Sequence, residues 1–291
     1  MAEDDLTIKT MKKSTIIILL LLTTQMTWAG GGWPIPKGKG YFKLSEYFIR
    51  SNGYFAPSGD VIDIATAGIY ITSLYGEYGI TDRFGVIAYV PFFSRATLNE
   101  QVDRNGNVLA QGDAVNSFGD TDISFKYGLI TNKPIVVSAT LTFGLPFGND
   151  QGGETGVLQT GDGEFNTMIA LEASRGINGG KGWINTLVGY NNRSNNFSDE
   201  FRWGLEIGHK FGKKWSGGIK FYSVNSLNNG SDFETPSNGI FSNNIEYLSF
   251  TPEVNYFIKE NLGVSASIGG ALSAKRVLAS PGYSLGVFMT L

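Results

Sequence analysis

Apolar and polar residues alternate along most of this chain. The pattern is clearest in the last ten residues, Gly282 to Leu291, which read GYSLGVFMTL. A period of two is typical of a β-strand whose two sides face different surroundings. When this period recurs through a whole chain behind an export signal, it predicts a transmembrane β-barrel with lipid outside and water or polar side chains inside.

Twelve segments carry this alternation, and each is long enough for a tilted strand, which needs about 9–11 residues to cross the hydrocarbon. The seventh segment is the least regular. The segments span residues 40–50, 65–80, 84–94, 118–130, 134–146, 164–175, 182–192, 200–211, 214–225, 245–258, 262–273 and 282–291.

The connections between segments alternate in length. Those after the even-numbered segments are short and carry turn residues, as in Thr81-Asp82-Arg83, whereas most of those after odd-numbered segments are longer. Outer-membrane barrels show this asymmetry, with short periplasmic turns and longer outer loops, and a soluble sandwich has no reason to produce it. The predicted fold class is therefore all-β, a transmembrane antiparallel up-and-down β-barrel of about 12 strands, with residues 30–291 as one domain and both termini in the periplasm.

The N-terminus has the order of a secretory signal. Met11-Lys12-Lys13 is a short positive region, Ile16 to Leu22 is an apolar run too short to span a bilayer, and Thr27-Trp28-Ala29 offers a cleavage site. We expect residues 1–29 to be a cleaved signal peptide, with cleavage after Ala29 or Gly30. A retained anchor helix is the alternative. The lead that follows, GGGWPIPKGKG, is expected to be flexible.

The alternation assigns each strand two faces. In the fifth segment the side containing Leu141 is apolar and the side containing Thr140 is small and polar. The fourth segment likewise places Phe125 outward and Lys126 inward. Because a charge that faces lipid at mid-depth is unfavourable, the charged side is assigned to the lumen.

Several charged and aromatic residues fall on the inward side. They either form ion pairs that fill a narrow barrel or line a solute path, and the two roles are compatible. The lumen-lining candidates are Glu77, Tyr89, Lys126, Glu172, Tyr190, Arg202, Glu206, Lys220, Tyr222 and Glu253. Counting back from the turn near Lys213 places Glu206 opposite Lys220, and these two are predicted to pair.

Two segments do not keep a single parity. Lys43 and Glu46 cannot both face inward on a regular strand, and neither can Glu246 and Glu253. A β-bulge in each strand, or a charge that lies beyond the lipid, would resolve the conflict. We also expect loop 95–117 or loop 147–163 to fold over or into the barrel mouth, because both are long for simple connections.

The sequence lacks the residues that most catalytic and metal sites need. It has no cysteine, and its one histidine, His209, falls on the lipid-facing side near a strand end. No catalytic residue, cofactor or resident metal is therefore predicted. The acidic outer-loop residues, such as Asp120 and Asp162, are either Ca²⁺ ligands or solvated charges. With Lys+Arg 23 against Asp+Glu 26, nucleic acid is not an expected partner.

Three stretches resemble one protein family in their content and order. They are Tyr78 to Phe92 (YGITDRFGVIAYVPF), Gly119 to Leu129 (GDTDISFKYGL) and Pro134 to Gly148 (PIVVSATLTFGLPFG), and the similarity extends over roughly residues 70–225. The chain is similar here to the MetA-pathway-of-phenol-degradation family. The resemblance implies an outer-membrane barrel that takes up small hydrophobic or aromatic compounds, and it carries no catalytic residue onto this chain.

The sequence therefore predicts a non-enzymatic channel or transporter in the bacterial outer membrane of a Gram-negative cell. Its expected partners are outer-membrane lipid, a small-molecule solute and the barrel-assembly machinery. The chain ends on Leu291, where many outer-membrane barrels end on phenylalanine, so its match to the assembly signal is imperfect. A plugged structural or adhesive barrel that acts through its outer loops is the first alternative. An outer-membrane hydrolase is the second, and the lack of a suitable histidine argues against it.

Overall fold

A computed structural model describes residues 31–231 and 241–291 of the chain. The predicted signal peptide, residues 1–29, lies outside these ranges, so its cleavage stays a prediction. None of the helices in the described ranges is long and apolar enough to span a membrane.

Twelve long strands and four short ones make up almost all of the described chain. Their bounds are β1 Gly40–Phe55, β2 Val61–Gly79, β3 Phe84–Leu98, β4 Gln101–Val102, β5 Val108–Ala110, β6 Asp113–Ser117, β7 Thr121–Ile130, β8 Ile135–Leu145, β9 Asn166–Ile177, β10 Gly182–Arg193, β11 Glu200–Phe211, β12 Trp215–Ser226, β13 Glu246–Lys259, β14 Leu262–Lys275, β15 Val277–Leu278 and β16 Gly282–Thr290. A single 3₁₀ turn, Asn178–Gly180, joins β9 to β10.

The long strands form a closed antiparallel barrel. Each pairs with its neighbours in chain order, and β1 pairs with both β2 and β16, so the sheet has no free edge. Closure satisfies the backbone groups that would otherwise be unpaired in lipid. The end that holds the five short turns is called the turn end below, and the opposite end is called the loop end. The predicted transmembrane antiparallel β-barrel of twelve strands is confirmed.

The predicted segments match the twelve long strands closely, with β1 extending to Phe55 at the loop end. The seventh segment, whose alternation is the least regular, nevertheless forms a regular strand. Its strand, β10, pairs with β9 and with β11 without a register shift. Its sequence looks irregular because both of its faces carry large apolar residues, such as Trp183 inward and Val188 outward.

The two faces of the wall differ as the alternation predicts. Outward side chains are exposed at the protein surface, with Ile169 and Leu285 each 60% accessible, whereas the inward Ser138 is fully buried. Directly opposite residues on antiparallel strands share a face, and Ser138 lies opposite Glu172 and Gly128. A polar inner face and an apolar outer face are therefore continuous around this part of the barrel.

The parity conflict in β1 has a different solution from the one expected. The register shift of β1 lies between Ser51 and Gly53, beyond both charges. Lys43 faces inward, and Glu46 faces outward from within the wall, where it accepts a hydrogen bond of 2.6 Å from the Thr72 hydroxyl. A neighbouring hydroxyl thus satisfies a carboxylate on the outer face.

The conflict in β13 is resolved at the loop end. Glu246 lies at the end of the strand, where its carboxylate pairs with Lys275 at 2.9 Å. Glu253 faces inward. Register shifts between Leu248 and Ser249, and again between Phe257 and Lys259, accompany this arrangement.

The two long loops behave differently. Residues 113–117 pair with β3, and β4 and β5 form a separate hairpin at the tip of loop 95–117. Loop 147–163 buries Leu158, Gln159 and Thr160, and its Asp162 contacts the inward Arg193. Of the two candidate loops, 147–163 is therefore the one that is joined to the inner wall through Arg193.

Candidate functional site

The residues before β1 lie inside the turn end of the barrel. Gly32 and Ile35 are buried, and Lys126 donates a hydrogen bond of 2.6 Å to the carbonyl of Gly31. The expectation of a flexible lead is therefore wrong for residues 31–36, which we call the N-terminal segment. The segment lacks strand periodicity, so the alternation that predicts the barrel wall gives no indication of its position.

Hydroxyl groups of the wall hold the start of the N-terminal segment. The amide of Gly32 donates to the Ser174 hydroxyl at 2.6 Å, and the Ser138 hydroxyl donates to the carbonyl of Gly32 at 2.6 Å. At Gly31 the backbone has a positive φ of 66°, and an added Cβ would lie 2.6 Å from the Ser174 hydroxyl oxygen. Glycine is needed here for both the backbone conformation and the close approach.

The chain then crosses the lumen to β2. Backbone bonds join Gly38 to the carbonyl of Gly79 at 2.8 Å and Gly79 to the carbonyl of Lys39 at 2.9 Å. Between β2 and β9 lie β3, β7 and β8 on one side of the barrel. Residues 31–39 therefore form a strap from one part of the wall to another, across the turn end of the lumen.

A buried polar cluster lies beneath this strap. Lys126 pairs with Glu172 at 2.9 Å, and Glu172 also accepts a hydrogen bond from Thr140. Glu77, only 2% exposed, accepts a hydrogen bond from Tyr75. Because a buried charge is unfavourable without a partner, the contacts with Lys126 and Thr140 explain how the wall tolerates Glu172, whereas one carboxylate oxygen of Glu77 has no hydrogen-bond partner among the described residues.

A second inward group links β1, β12 and β13. Glu253 lies between two lysines, at 3.5 Å from the Lys43 nitrogen and 3.2 Å from the Lys220 nitrogen. The predicted register that places Glu206 opposite Lys220 is confirmed, but the predicted ion pair is wrong. Glu206 instead accepts a hydrogen bond of 2.6 Å from the indole of Trp183. Lys220 contacts Glu253, which lies on the neighbouring strand β13, and not Glu206, which lies directly opposite on β11.

A third group closes the loop end around Arg193, the last residue of β10. Its guanidinium contacts Asp162 at 2.6 Å, Glu164 at 2.7 Å and Glu200 at 3.0 Å. Glu200 also receives a hydrogen bond of 2.8 Å from Arg202. One buried arginine therefore joins loop 147–163 and its flank to β10 and β11.

Asp120 holds the same loop from the other side. Its carboxylate accepts hydrogen bonds from the amides of Gly148 at 2.9 Å and Asp162 at 2.8 Å. Burial raises the pKa of Asp162 to about 7, against the lowering effect of Arg193, and the Asp120 carboxylate adds to the rise. Burial also raises the pKa of Asp120. The interpretation of these two as solvated loop charges is wrong, because loop folding buries most of each side chain.

The tyrosines predicted to face the lumen separate into two groups. Tyr89 faces inward opposite Tyr75 and Asp122. Tyr222 faces inward beside Tyr247, with ring centroids 6.4 Å apart. The prediction that Tyr190 faces the lumen is wrong.

Tyr190 lies on the outer face, opposite Ile169 and Phe201, and is 43% exposed. Its hydroxyl donates to Asp199 at 2.7 Å at the loop end. The inward positions of β10 belong to the odd-numbered residues, which include Trp183 and Asn191. The apolar Trp183 misled the parity assignment because its indole is satisfied by Glu206 inside the lumen.

Sequence reasoning missed several inward residues. Arg193 lies one residue past the predicted end of the seventh segment, and the parity that placed Tyr190 inward would have placed Arg193 outward. Glu200 falls on the inward parity of the eighth segment. Tyr47 and Tyr247 lie on the two strands whose parity was uncertain, and the N-terminal segment gave no periodic signal.

The described part of the chain, residues 31–231 and 241–291, contains no group of three or more His, Asp or Glu side chains arranged to hold a metal ion. His209 faces outward near the turn end and its ring lies 5.3 Å from that of Phe211. The inward side chains described above hold one another and the N-terminal segment through ion pairs and hydrogen bonds.

A closed antiparallel wall with a polar interior defines a transmembrane β-barrel. The chain belongs to the family described as "Putative MetA-pathway of phenol degradation", whose model matches residues 50–286. The resemblance noted over residues 70–225 is thus confirmed over a longer range. No curated protein matches this sequence.

Two solved structures share the fold. The COG4313 outer membrane channel from Pseudomonas putida F1 superposes with a TM-score of 0.63 and 12% sequence identity, covering 91% of this chain and 100% of that chain. The porin NanC superposes with a TM-score of 0.52 and 8% identity, covering 86% of this chain and 100% of that chain.

Proposed function

We propose that this protein is a channel in the outer membrane of a Gram-negative bacterium that admits small apolar or aromatic solutes. Export through a cleaved signal peptide and insertion by the barrel-assembly machinery belong to this proposal. The turn end then faces the periplasm and the loop end faces the outside. As a passive channel it needs no catalytic residue, cofactor or metal.

The observation that carries the proposal is a peptide segment held inside the lumen. The wall itself leaves an interior, and a peptide strap, residues 31–39, crosses that interior at the turn end. Side-chain hydrogen bonds from Lys126, Ser138 and Ser174 hold the strap there. Such a bond contributes about 0.5–1.5 kcal/mol in net terms, or about 1.5–3 kcal/mol when the donor is charged, as Lys126 is. Because none of these bonds belongs to the strand ladder of the wall, the strap can leave without breaking that ladder.

Signal cleavage would give the strap a free end. If cleavage follows Ala29 or Gly30, the mature chain begins next to the Lys126 cluster inside the lumen. A free end can withdraw toward the periplasm, whereas a chain that continued through the lumen could not. The proposed gate therefore depends on the predicted processing.

The inner wall supports the solute class. A buried apolar cluster of Ile49, Ala67, Ile69 and Leu278 lies on the inward face near the loop end. Inward tyrosines, among them Tyr47 and Tyr222, add aromatic surface to a wall that is otherwise hydroxyl-rich. Such a mixed lining suits solutes that carry both a ring and a polar group, and the description of the family points the same way.

The test is conductance in planar bilayers, together with uptake of benzyl alcohol into vesicles. Deletion of residues 31–37 should raise both. The matched control is deletion of residues 101–110, the β4–β5 hairpin that forms a sheet separate from the barrel wall, which should leave both unchanged. If the deletion of 31–37 folds but conducts no better than the full mature chain, the gate is excluded.

A plugged structural barrel is the second candidate, because the strap closes one end and the Arg193 group narrows the other. It predicts no conductance or uptake in either deletion variant. The same bilayer experiment therefore separates the two functions.

A further inference from the structure

A recess of about 480 Å³ indents the inner wall in its loop-end half, where β1, β13, β14 and β16 meet. Small residues on neighbouring strands leave this space open. The two glycines give room to larger neighbours that line the recess, because an added Cβ at Gly282 would lie 2.4 Å from the Tyr47 hydroxyl oxygen and one at Gly269 would lie against the Thr251 side chain. The small inward residues are Ser249, Ser267, Gly269, Ala271, Gly282 and Ser284.

Larger residues surround this opening. The rings of Tyr47 and Tyr247 line it, and Ile49 and Leu278 lie among its lining residues. Ile49 and Leu278 are buried in the apolar cluster of the inner wall. The recess therefore has aromatic and apolar sides and a bottom made of small residues, and its volume is within the range of about 300–1,000 Å³ that ligand pockets occupy.

The recess excludes charge and offers hydroxyl groups. None of the described residues that line it is charged. Arg202 and Glu200, the charged groups that act electrostatically on Tyr247, are paired with each other. Within the described ranges, the hydroxyls of Tyr47, Tyr247 and Thr251 make no hydrogen bond to another protein group. An ionised ligand would lose its hydration without gaining a partner, whereas a hydroxyl group would find one.

We infer that this recess is a binding site, on the path through the barrel, for an uncharged solute that carries one ring and a hydroxyl group. The inference rests on the proposed channel function, and it adds the position of the solute and the exclusion of charged analogues. The ring packs between the tyrosines and the apolar cluster, and the ligand hydroxyl bonds with the hydroxyl of Tyr247.

The probe is 4-azidobenzyl alcohol, photoactivated on the full mature protein in lipid vesicles, with the labelled peptides mapped by mass spectrometry. We expect label on β1, β13, β14 and β16 that benzyl alcohol displaces and benzoate does not. Label dissolved in the lipid also reaches outward residues, but competitor does not displace it. Labelling that benzyl alcohol cannot displace, or that benzoate displaces equally well, would overturn the inference.

Two variants locate the site. Ser249→Leu fills the recess and should abolish the displaceable label. Tyr247→Phe removes one hydroxyl without changing the ring and should weaken competition by benzyl alcohol about three- to tenfold, as loss of one hydrogen bond does. The matched control is Tyr283→Phe, on the outer face of β16 between Gly282 and Ser284, which should change nothing. If Ser249→Leu does not fold, Tyr247→Phe against Tyr283→Phe decides alone.

The outcomes separate this inference from the proposed function. Displaceable label in the recess without any uptake of benzyl alcohol would support the site and exclude the channel. Uptake with no displaceable label in the recess would leave the channel standing and overturn the site.

Discussion

At the residue scale, many charges of the inner wall form ion pairs among the contacts described, whereas Glu206 and Glu77 accept hydrogen bonds from Trp183 and Tyr75 instead. Lys126 contacts Glu172, Lys220 contacts Glu253, and Arg193 contacts three carboxylates. Pairing offsets the loss of hydration, but it requires several strands to converge on one point. Two carboxyl groups, those of Asp120 and Asp162, lie close together at the loop end, and burial raises the pKa of both. Their ionisation is therefore sensitive to pH.

Lowering the pH through 7 should tighten loop 147–163. The folded-state pKa of Asp162, about 7, is above its usual value of 3.8, so its contribution to folding is present at low pH and is lost as pH rises through 7. Above pH 7 two ionised carboxylates face each other beside Arg193 and Glu164. A spin label on Gln151→Cys should report a more mobile loop at pH 8 than at pH 6.

The control for this prediction is Asp162→Asn, which cannot ionise. Its label should show the same mobility at both values of pH. The chain has no cysteine, so the label has a single attachment point. A pH response that persists in Asp162→Asn would contradict the assignment to this pair.

At the element scale, each strand separates two surroundings. Leu141 and Ile135 both face outward on β8, but Leu141 lies near the middle of the strand and Ile135 is its first residue. Arginine at mid-depth in lipid costs about 2–4 kcal/mol, and near the interface about 0–1 kcal/mol. Leu141→Arg should therefore lower the free energy of unfolding much more than Ile135→Arg does.

Urea unfolding in lipid vesicles measures that difference, and heat-modifiable gel mobility checks that both variants fold. The pair shares one strand and one face, so depth is the main variable. Equal losses in the two variants would mean that β8 does not cross the membrane as assigned.

At the whole-molecule scale, the barrel depends on contact between its first and last strands. Phe48 on β1 lies directly opposite Tyr283 on β16, with ring centroids 5.2 Å apart. Opposed residues have Cα atoms about 4.5–5.5 Å apart, within the range of about 4.4–6.8 Å that disulfides need. Phe48→Cys with Tyr283→Cys should therefore cross-link on oxidation.

The control pair, Phe48→Cys with Leu285→Cys, is diagonal rather than opposed. Its separation is about 7–8 Å, so it should cross-link poorly. A non-reducing gel after denaturation shows the cross-linked chain as a faster band, because residues 48–283 then form a ring. Equal cross-linking of both pairs would contradict the closing register.

The sequence by itself determined the wall of this protein. Period-two alternation identified twelve strands, most of their faces and the short turns, because each strand lies between two surroundings of opposite polarity and must alternate to do so. Turn counting even placed Glu206 opposite Lys220, since register within a hairpin is a local property.

Only the tertiary structure decided the interior. Lys220 contacts Glu253 from the next hairpin, Arg193 collects carboxylates from a loop and a neighbouring strand, and residues 31–36 fill the turn end without any periodic pattern. Inside the barrel all residues share one polar surrounding, so alternation cannot distinguish between possible partners. Closure of β1 on β16 brings strands that are distant in sequence together. The contacts across the lumen depend on the positions of these strands in the barrel, which the local sequence pattern does not determine.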